Sequence, residues 1–453
     1  MLAALVLQGN ALAQTGADEA SDDLAENAVI EEVVVIGTKI ERALQDTVTS
    51  VAVFDAELID SQKFLTLSDI LDQTANVSTA FNDGIITIRG VRNEGAGSFD
   101  GTSDVSAVYV DGVFLPSSLF TSAGLNLWDV ASAEVFRGPQ STLQGRNALA
   151  GAVVMNTVDP GMAFEGDAQA IYADYNTWRL SAAASVPVTD GFALRFAVDE
   201  SRTDGFITNP TLMTDKSDAR EATTFRGKAL WEPTGIDGLS IRLNYTNIDS
   251  FRGDGRVVSN LFPPERLTFE NLQSRIDTEG DIASLIVDYG LSDGWDFTSI
   301  TAYTDTFQRF FIDTTRDETG GPSFSDFQSN DEIKSQEFRA TFQGERMRGL
   351  LGAFVFNQQG DTLQDSRSIV GTDFALPDPV TFASILFGTP DPTPEQIAGA
   401  AVLRQGIVDT VPQFPVDFDR SSDLEIDNWA LFGELDYDLN DRWTMTLGLR
   451  YDN

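Results

Sequence analysis

The clearest pattern in the chain is the alternation of apolar and polar residues that begins after Pro160. The segments FALRFAVD at 192–199, LSIRLNYT at 239–246 and RWTMTLGLRYD at 442–452 all follow it. A period of two residues is that of a β-strand, whose successive side chains point to opposite faces. One face of each strand is therefore apolar with aromatic residues near its ends, and the other carries charges and glycine. A soluble β-sandwich has the same alternation, so one strand alone does not decide the fold class.

The number and length of these strands favour a membrane barrel. The pattern predicts roughly eleven strands, many near ten residues, whereas strands of soluble sheets usually have about five or six. Tight turns at 189–191 and 439–441 alternate with long connections at about 250–280 and 358–425. Short turns on one side and long loops on the other are typical of transmembrane β-barrels.

The longer of these connections is predicted to contain a helix. Thr393 is suited to the N-cap, Pro394 to the first helical position and Gln396 to a capping box with Thr393. We therefore expect a helix to begin at residue 394.

The part of the chain before Pro160 has a mixed α/β pattern. Asp55 predicts the cap of a helix that runs to Gln62, and Thr66 with Asp69 predicts a capping box for a helix that runs to Gln73. Short apolar runs predict buried strands at 85–90, 107–112, 133–138 and 150–157. The sequence thus predicts an α+β domain at 47–160, followed by an antiparallel transmembrane β-barrel at 161–453.

The N-terminal residues have the composition of processing and linker segments. Residues 1–13 are apolar and end in Ala11-Leu12-Ala13, which predicts the end of a secretory signal peptide cleaved after Ala13. Residues 14–46 are predicted to form a disordered leader, polar and acidic at its start. Within it, residues 31–39 (EEVVVIGTK) form a short β-prone run.

Composition and charge exclude several classes of function. The chain has 30 basic and 70 acidic residues, a net charge of −40, which disfavours nucleic acid as a partner. It has neither cysteine nor histidine, so disulfides, the usual zinc sites and imidazole-based catalytic triads are absent. No constellation of catalytic residues stands out, and we expect no enzyme activity, no cofactor and no bound metal.

Three motifs resemble the plug-domain signature of the TonB-dependent receptor family, in the family's order and spacing. They are Ile88-Arg89-Gly90, VYVDGV at 108–113 and EVFRGPQSTLQGRNALAGAV at 134–153. More weakly, SQEFR at 335–339 and ALFGE at 430–434 resemble strand segments of the family's barrel. The resemblance implies a plug inside a barrel of about 22 strands, of which this chain holds about half. We therefore expect an open, curved sheet of roughly ten to twelve strands that partly wraps the plug.

The resemblance also implies a function: active import of a scarce nutrient across the outer membrane of a Gram-negative bacterium, with the plug gating the lumen. Ferric siderophore is the default cargo, and the missing histidine argues mildly against haem. The expected partners are TonB with its ExbB and ExbD energising complex, outer-membrane lipid and a small-molecule or metal-chelate cargo. A passive porin-like or adhesin-like barrel with a periplasmic module is the main alternative, and a secreted β-sandwich enzyme is a third.

Residues 31–39 resemble the TonB box, which adds as a strand to an edge of TonB through backbone hydrogen bonds. The residues expected to pair are Glu32, Val33, Val34, Val35 and Ile36. We expect the segment from Val33 to Ile36 to be mobile before TonB binds. The alternative is that this run is the first strand of the plug.

Family resemblance further implies ion pairs that hold the plug in the barrel. The candidate plug residues are Arg89, Arg137 and Arg146, and the candidate barrel residues are Glu337 and Glu434. A buried guanidinium needs a partner, because an unpaired one costs several kcal/mol. Local pairing within the plug, such as Arg137 with Glu134, is equally expected.

Residues that contact the cargo are predicted only weakly. The loop 91–106 and the segment 116–120 are expected at the outward-facing apex of the plug. The candidates there are Asn93, Phe99, Asp100 and Phe120.

Overall fold

The fold was analysed from a computed structural model. It describes residues 34–35, 37, 39–40, 42–47, 49–80, 85–93, 104–122, 125–145, 147–253, 266–292, 294–314, 323–440 and 442–453. The predicted signal peptide at 1–13 and residues 14–33 of the predicted leader lie outside these ranges. The rest of the leader, predicted to be disordered to residue 46, contains the paired strands Val34–Val35 and Arg42–Ala43.

The N-terminal part, called the plug below, is a small mixed domain. Its strands are β1 Val34–Val35, β2 Arg42–Ala43, β3 Val51–Asp55, β4 Val77–Ala80, β5 Ile85–Ile88, β6 Val91–Arg92, β7 Ser106–Val110, β8 Val113–Leu115, β9 Val130–Arg137 and β10 Gly151–Thr157. Its helices are α1 Ala56–Gln62, α2 Leu67–Gln73 and α3 Ser117–Ser122. The main sheet has the order β3-β9-β10-β7-β8, with β10 parallel to β7, beside a sheet β4-β5-β6 and the pair β1-β2.

The predicted helix caps of the plug are confirmed. The Asp55 carboxylate accepts a hydrogen bond from the backbone N–H of Leu58 at 2.7 Å, at the start of α1. The Asp69 carboxylate reaches back to the N–H of Thr66 at 2.8 Å, at the start of α2. Each contact satisfies a backbone donor that a short helix leaves without a partner.

The core of the plug continues into the large sheet. Ile70, Ile88 and Leu119 of the plug belong to one cluster of buried apolar side chains, which also includes Ile248 and Ile282 of the large sheet. The plug is therefore packed against the sheet by apolar contacts as well as by charges.

The large sheet, called the wall below, is an antiparallel meander of 11 strands, each bonded to its neighbours in sequence. They are β11 Glu165–Ala173, β12 Thr177–Thr189, β13 Phe192–Thr203, β14 Arg220–Trp231, β15 Leu239–Gly253, β16 Arg275–Ser292, β17 Trp295–Asp313, β18 Phe324–Gln343, β19 Met347–Gly371, β20 Gln413–Asn440 and β21 Trp443–Asp452. The sheet does not close, since β11 and β21 do not pair. The strand number predicted from the alternating pattern and the open sheet implied by the family resemblance are confirmed.

The two faces of the wall are reversed relative to a soluble sheet. In β15, Leu243 and Tyr245 are 53% and 40% exposed, whereas Asn244 and Thr246 are each 6% exposed against the plug side. An exposed apolar face and a buried polar one are expected of a sheet whose outer surface meets lipid.

The strand connections differ between the two ends of the wall. At one end they span 190–191, 232–238, 293–294, 344–346 and 441–442, and at the other 174–176, 204–219, 254–274, 314–323 and 372–412. Exposed Trp231, Trp295 and Trp443 lie at the end with the short connections. Short turns are typical of the periplasmic end of an outer-membrane barrel, and a belt of aromatic residues is expected at both of its interfaces.

The predicted loop 358–425 is wrong in its bounds. β19 runs to Gly371 and β20 begins at Gln413, so the connection spans 372–412 and holds α4 Thr372–Ala375, α5 Pro379–Phe387 and α6 Pro394–Thr410. The extension of β19 has few apolar residues, whereas Phe414, Val416 and Phe418 of β20 do stand at alternate positions, a signal that the prediction missed. The backbone ladder continues through both extensions. The predicted helix start is confirmed, because the N–H of Gln396 donates to Oγ1 of Thr393. In the part of the chain that the structure describes, no helix is long and apolar enough to cross a membrane.

Candidate functional site between the plug and the wall

The segment predicted as the TonB box is docked on the plug where the structure describes it. Val34 pairs with Ala43 and Val35 with Arg42 in the short antiparallel ladder of β1 and β2. Val35 is fully buried and belongs to an apolar cluster that includes Phe136. Backbone pairing and the burial of Val35 place Val34 and Val35 on the plug, and the mobility of the segment stays a prediction. Glu32, Val33 and Ile36 lie outside the described residues.

A second contact fixes the chain just after β1. The N–H of Gly37 donates to Oε2 of Glu134 at 2.9 Å, and Glu134 is completely buried in β9. A Cβ on residue 37 would lie 2.6 Å from the Phe136 ring, so only glycine fits this close approach.

Lys39 connects this segment to the wall. Its ammonium lies 2.7 Å from Oε2 of Glu337 on β18, and both side chains are nearly buried. Burial lowers the pKa of Lys39 from 10.5 to about 8; Glu337 opposes this shift, whereas the nearby guanidinium of Arg339 adds to it. The ammonium also lies 4.8 Å from the centre of the Phe432 ring.

Arg42 makes a second connection, to β20. Its guanidinium pairs with the carboxylate of Glu434 and lies 2.9 Å from that of Asp436. Asp436 also pairs with Arg348 of β19 at 3.1 Å. The segment that carries the box is thus attached to the wall by two plug cations and three wall carboxylates.

The charges are reversed on the other side of the plug. The Nε–H of Arg195 on β13 is shared between the two carboxylate oxygens of Asp129, at 2.9 and 3.1 Å. Asp111 lies 3.3 Å from the ammonium of Lys228 on β14, and Asp159 lies 3.1 Å from the same ammonium. Here the plug supplies the carboxylates and the wall supplies the cations.

This arrangement gives the plug one orientation in the wall. Its basic residues face β18 and β20 and its acidic residues face β13 and β14, so rotation about the barrel axis would bring like charges together. Removal of one member of a buried pair leaves the other uncompensated, at about 3–5 kcal/mol. The two groups also lie at different positions along the chain. Lys39 and Arg42 follow closely after β1, so a pull on β1 reaches them well before it reaches Asp111 and Asp129.

The structure pairs the predicted wall glutamates with plug residues other than those expected. Glu337 and Glu434 face Lys39 and Arg42, and the expected contact between Arg137 and Glu337 is not formed. Arg137 instead donates to the carbonyl oxygen of Ala75 at 3.1 Å, within the plug.

The remaining predicted plug arginines have no described contact with the wall glutamates. Arg89 is exposed and lies beside Gly138, and Arg146 lies outside the described residues. Lys39 and Arg42 are the first two basic residues of the sequence, a position that does not by itself pair them with the wall glutamates.

The weakly predicted cargo contacts are corrected in two cases. Asn93 is 1% exposed, and its Oδ1 accepts a hydrogen bond from the N–H of Ser106 at 2.8 Å, so it joins the two ends of a loop. Phe120 is buried in the plug core. Neither side chain is accessible to a cargo. Phe99 and Asp100 lie outside the described residues.

Two family models match the chain in succession. The model described as TonB-dependent Receptor Plug Domain matches residues 43–152. The model described as TonB dependent receptor-like, beta-barrel, matches residues 248–453. The first covers most of the plug and the second covers the wall from β15 onwards.

Similar proteins agree with this assignment. The ferrioxamine receptor of Yersinia enterocolitica is 27% identical over 209 residues, which are 46% of this chain and 28% of that protein. The vitamin B12 transporter BtuB of Vibrio vulnificus is 24% identical over 221 residues, 48% of this chain and 35% of that protein. The ferric yersiniabactin uptake receptor FyuA of Yersinia pestis has the same fold, with a TM-score of 0.68 at 17% identity over 89% of this chain. The chain spans 56% of the length of FyuA.

Proposed function

Because the chain belongs to the TonB-dependent receptor family, with the plug and barrel domains of that family in order, we propose that it takes part in energised import of a scarce nutrient. The family resides in the outer membrane of Gram-negative bacteria, and so does this chain. In the proposed cycle cargo binds on the outer side, TonB captures the box segment, and force applied through that segment moves part of the plug. The cargo is carried across without a chemical change.

The observation that carries this proposal is the attachment of β1. A strand of two residues, paired with another of two residues, is a weak ladder that a longer edge of TonB can replace by β-augmentation. The next anchors along the chain are the ion pairs of Lys39 and Arg42 with the wall. TonB binding at β1 would therefore transmit force first to the contacts that hold the plug against β18 and β20.

The same contacts count against a passive pore. A porin needs an open lumen, whereas the concave side of this wall is occupied by a domain with buried ion pairs to β13 and to β20. Such pairs hold the domain in place unless work is done on it. ExbB and ExbD, together with TonB, are the proposed source of that work.

We propose a ferric siderophore as the cargo. The Yersinia enterocolitica relative is named for ferrioxamine and FyuA for ferric yersiniabactin, while the Vibrio relative is named for vitamin B12. Cobalamin is thus the competing cargo class.

The test is uptake of labelled ferric siderophores and labelled cobalamin by cells that carry the intact receptor, compared with cells that lack it. We expect receptor-dependent uptake of a ferric siderophore that stops when a protonophore dissipates the proton gradient, while binding at the surface persists. Uptake that continues without the gradient would refute energised import. Gradient-dependent uptake of cobalamin alone would refute only the cargo.

A further inference from the structure

The upper part of the wall, toward its long connections, carries aromatic residues on its concave side. Phe310, Phe327, Gln364 and Arg420 are paired across β17, β18, β19 and β20, so they form one row. Phe418 lies in the next row up, two residues before Arg420. Because neighbouring strands are about 4.8 Å apart, the row is about 14 Å wide. These five residues are called the aromatic patch below.

The aromatic patch faces the lumen. Phe432 of β20 is 4% exposed and belongs to one buried cluster with Ile40 of the plug, so its side of the strand is the inner one. The ladder of β19 and β20 continues without a register shift through both strands, and Phe418 and Arg420 stand an even number of positions from Phe432. Alternate residues of a strand share a face, so both side chains point into the lumen.

The patch lies directly above the plug. Nε2 of Gln308 on β17 donates to the carbonyl oxygen of Ser118 in α3, at 3.3 Å. Phe310 is the next residue on the same face of β17, about 7 Å farther from the short connections. A molecule that rests on α3 from the outer side therefore contacts the row that contains Phe310.

The two faces of β20 exchange character between its lower and upper parts. In the lower part the exposed apolar residues are on the outer face, where Leu431 is 56% exposed. In the upper part the outer face has carboxylates such as Asp417 and Asp419, and the inner face has Val416 and Phe418, which are 42% and 52% exposed. An exposed apolar patch outside the lipid belt marks a surface that binds another molecule. The patch is therefore a contact surface for a molecule in the lumen.

Arg420 gives the patch a positive charge. In the part of the chain that the structure describes, Arg420 has no ion pair, whereas Arg367 on the outer face of β19 lies 2.7 Å from Asp417. The carboxylate of Asp331, lower on the inner face of β18, is buried and accepts a hydrogen bond from Gln358 at 3.0 Å. An exposed guanidinium among aromatic side chains attracts an anion, with which it forms charge-assisted hydrogen bonds.

We propose that the aromatic patch binds a ferric catecholate, an iron chelate that is both aromatic and anionic. This inference rests on the proposed import function and names the chemical class of its cargo. Catecholate rings are planar and leave the iron complex with a net negative charge, so they pack against the phenylalanines of the patch and pair with Arg420. Hydroxamate groups neutralise the iron and have no ring, so a hydroxamate chelate makes neither contact.

The experiment compares two iron chelates by isothermal titration calorimetry with the purified intact receptor. Ferric enterobactin is the catecholate probe and ferrioxamine B is the hydroxamate probe. We expect ferric enterobactin to bind more tightly by about tenfold or more, because only this probe has both rings and negative charge. Equal or tighter binding of ferrioxamine B would overturn the proposal, and so would binding of neither chelate.

Variants place the binding on the patch. Arg420→Gln should weaken binding of ferric enterobactin by about tenfold or more, and Phe418→Ala should weaken it by about fivefold. Both side chains are exposed, so neither change removes a buried contact. Arg367→Gln and Leu363→Ala, on the outer face of β19, are the matched controls and should leave the affinity unchanged.

Unchanged affinity in both inner-face variants would overturn the patch as the binding surface, for example because another part of the receptor covers it. The titration needs neither TonB nor a proton gradient. If the patch fails this test while gradient-dependent uptake of another chelate persists, only the catecholate site is refuted. If the patch passes while uptake is independent of the gradient, only the energised import is refuted.

Discussion

Lys39 and Glu337 are separated by 298 positions in the chain, yet the ammonium of the first lies 2.7 Å from a carboxylate oxygen of the second. This contact joins the segment that carries the proposed TonB box to strand β18 of the wall. The first contact of this segment with the wall therefore lies four residues after the buried Val35. Along the chain, this contact is close to the strand at which TonB is proposed to pull.

The coupling between these two residues is open to a double-mutant cycle. Glu337→Gln leaves Lys39 buried without its carboxylate, at about 3–5 kcal/mol, whereas Lys39→Met leaves Glu337 with Arg339 at 3.3 Å as its remaining cation and should cost less. We expect the double variant to lose less than the sum of the two, because neither charge remains unpaired. The readout is the mobility of a spin label on a Val34→Cys variant, which is specific because these 453 residues contain no cysteine.

Arg137 supplies the control for this cycle. It bonds to Ala75 and not to the wall. Arg137→Gln and Glu337→Gln should therefore be additive within about 0.5 kcal/mol. Coupling between Arg137 and Glu337 as large as that of Lys39 would contradict the assignment of Lys39 as the partner.

The opposite side of the plug should be equally sensitive. Asp129→Asn removes the negative charge that compensates the buried guanidinium of Arg195, whose other side-chain partner is Ser185, and we expect the plug to lose about 3–5 kcal/mol. Glu221→Gln removes an exposed pair with Arg202 and should change stability by less than about 1 kcal/mol. Protease cleavage of the plug as a function of urea concentration measures both. Equal effects would mean that the Asp129 contact is not buried in the working receptor.

Docking of the box segment should depend on pH in the alkaline range. The pKa of Lys39 is about 8 when docked and 10.5 when exposed. Between these values the undocked state binds more protons, so docking becomes more favourable as pH rises, by about 3 kcal/mol at most. The label at position 34 should become less mobile from pH 8 to pH 10, and Lys39→Met should remove this trend. An increase in label mobility from pH 8 to pH 10 that Lys39→Met abolishes would contradict the predicted direction of the pH dependence.

Gly280 of β16 is predicted to set how closely the plug approaches the wall. A Cβ there would lie 2.4 Å from Cδ2 of Leu119 in α3. Gly280→Ala should therefore destabilise the docked plug by about 1–3 kcal/mol, and Leu119→Ala should suppress part of that effect by making room. Gly166→Ala in β11 meets only ordinary contacts and serves as the control. Urea-dependent proteolysis again provides the measurement, and equal destabilisation by the two glycine variants would refute the close contact.

The sequence predicted the wall well because alternation is local. In a strand such as 239–246, the alternation within the strand is enough to assign its apolar and polar faces. The helix caps at Asp55 and Thr393 likewise depend only on residues within three positions. The bounds of β19 and β20 were missed because β19 has few apolar residues after Gln358, and because the alternate Phe414, Val416 and Phe418 of β20 were not recognised as part of a strand. In those regions the two strands are held together by backbone hydrogen bonds and by cross-strand ion pairs, such as Arg367 with Asp417.

The site was harder to predict because its contacts connect distant positions. The wall glutamates could be named from the resemblance, but nothing local distinguishes Lys39 from Arg137 as the partner of Glu337. Asn93 was expected to face cargo because it lies in a polar loop. Its amide instead holds the backbone at Ser106, a role that only the folded chain reveals.

The central claim is that β1 is the strand that TonB captures through its backbone, and one binding measurement tests it directly. Val34→Pro removes a backbone donor, whereas Val34→Ala keeps it while shortening the side chain. With the periplasmic domain of TonB immobilised, we expect the intact receptor and the alanine variant to be captured alike and the proline variant to be lost. Uptake should fail in the proline variant while cargo binding is retained. Capture of the proline variant with unchanged affinity would contradict the account.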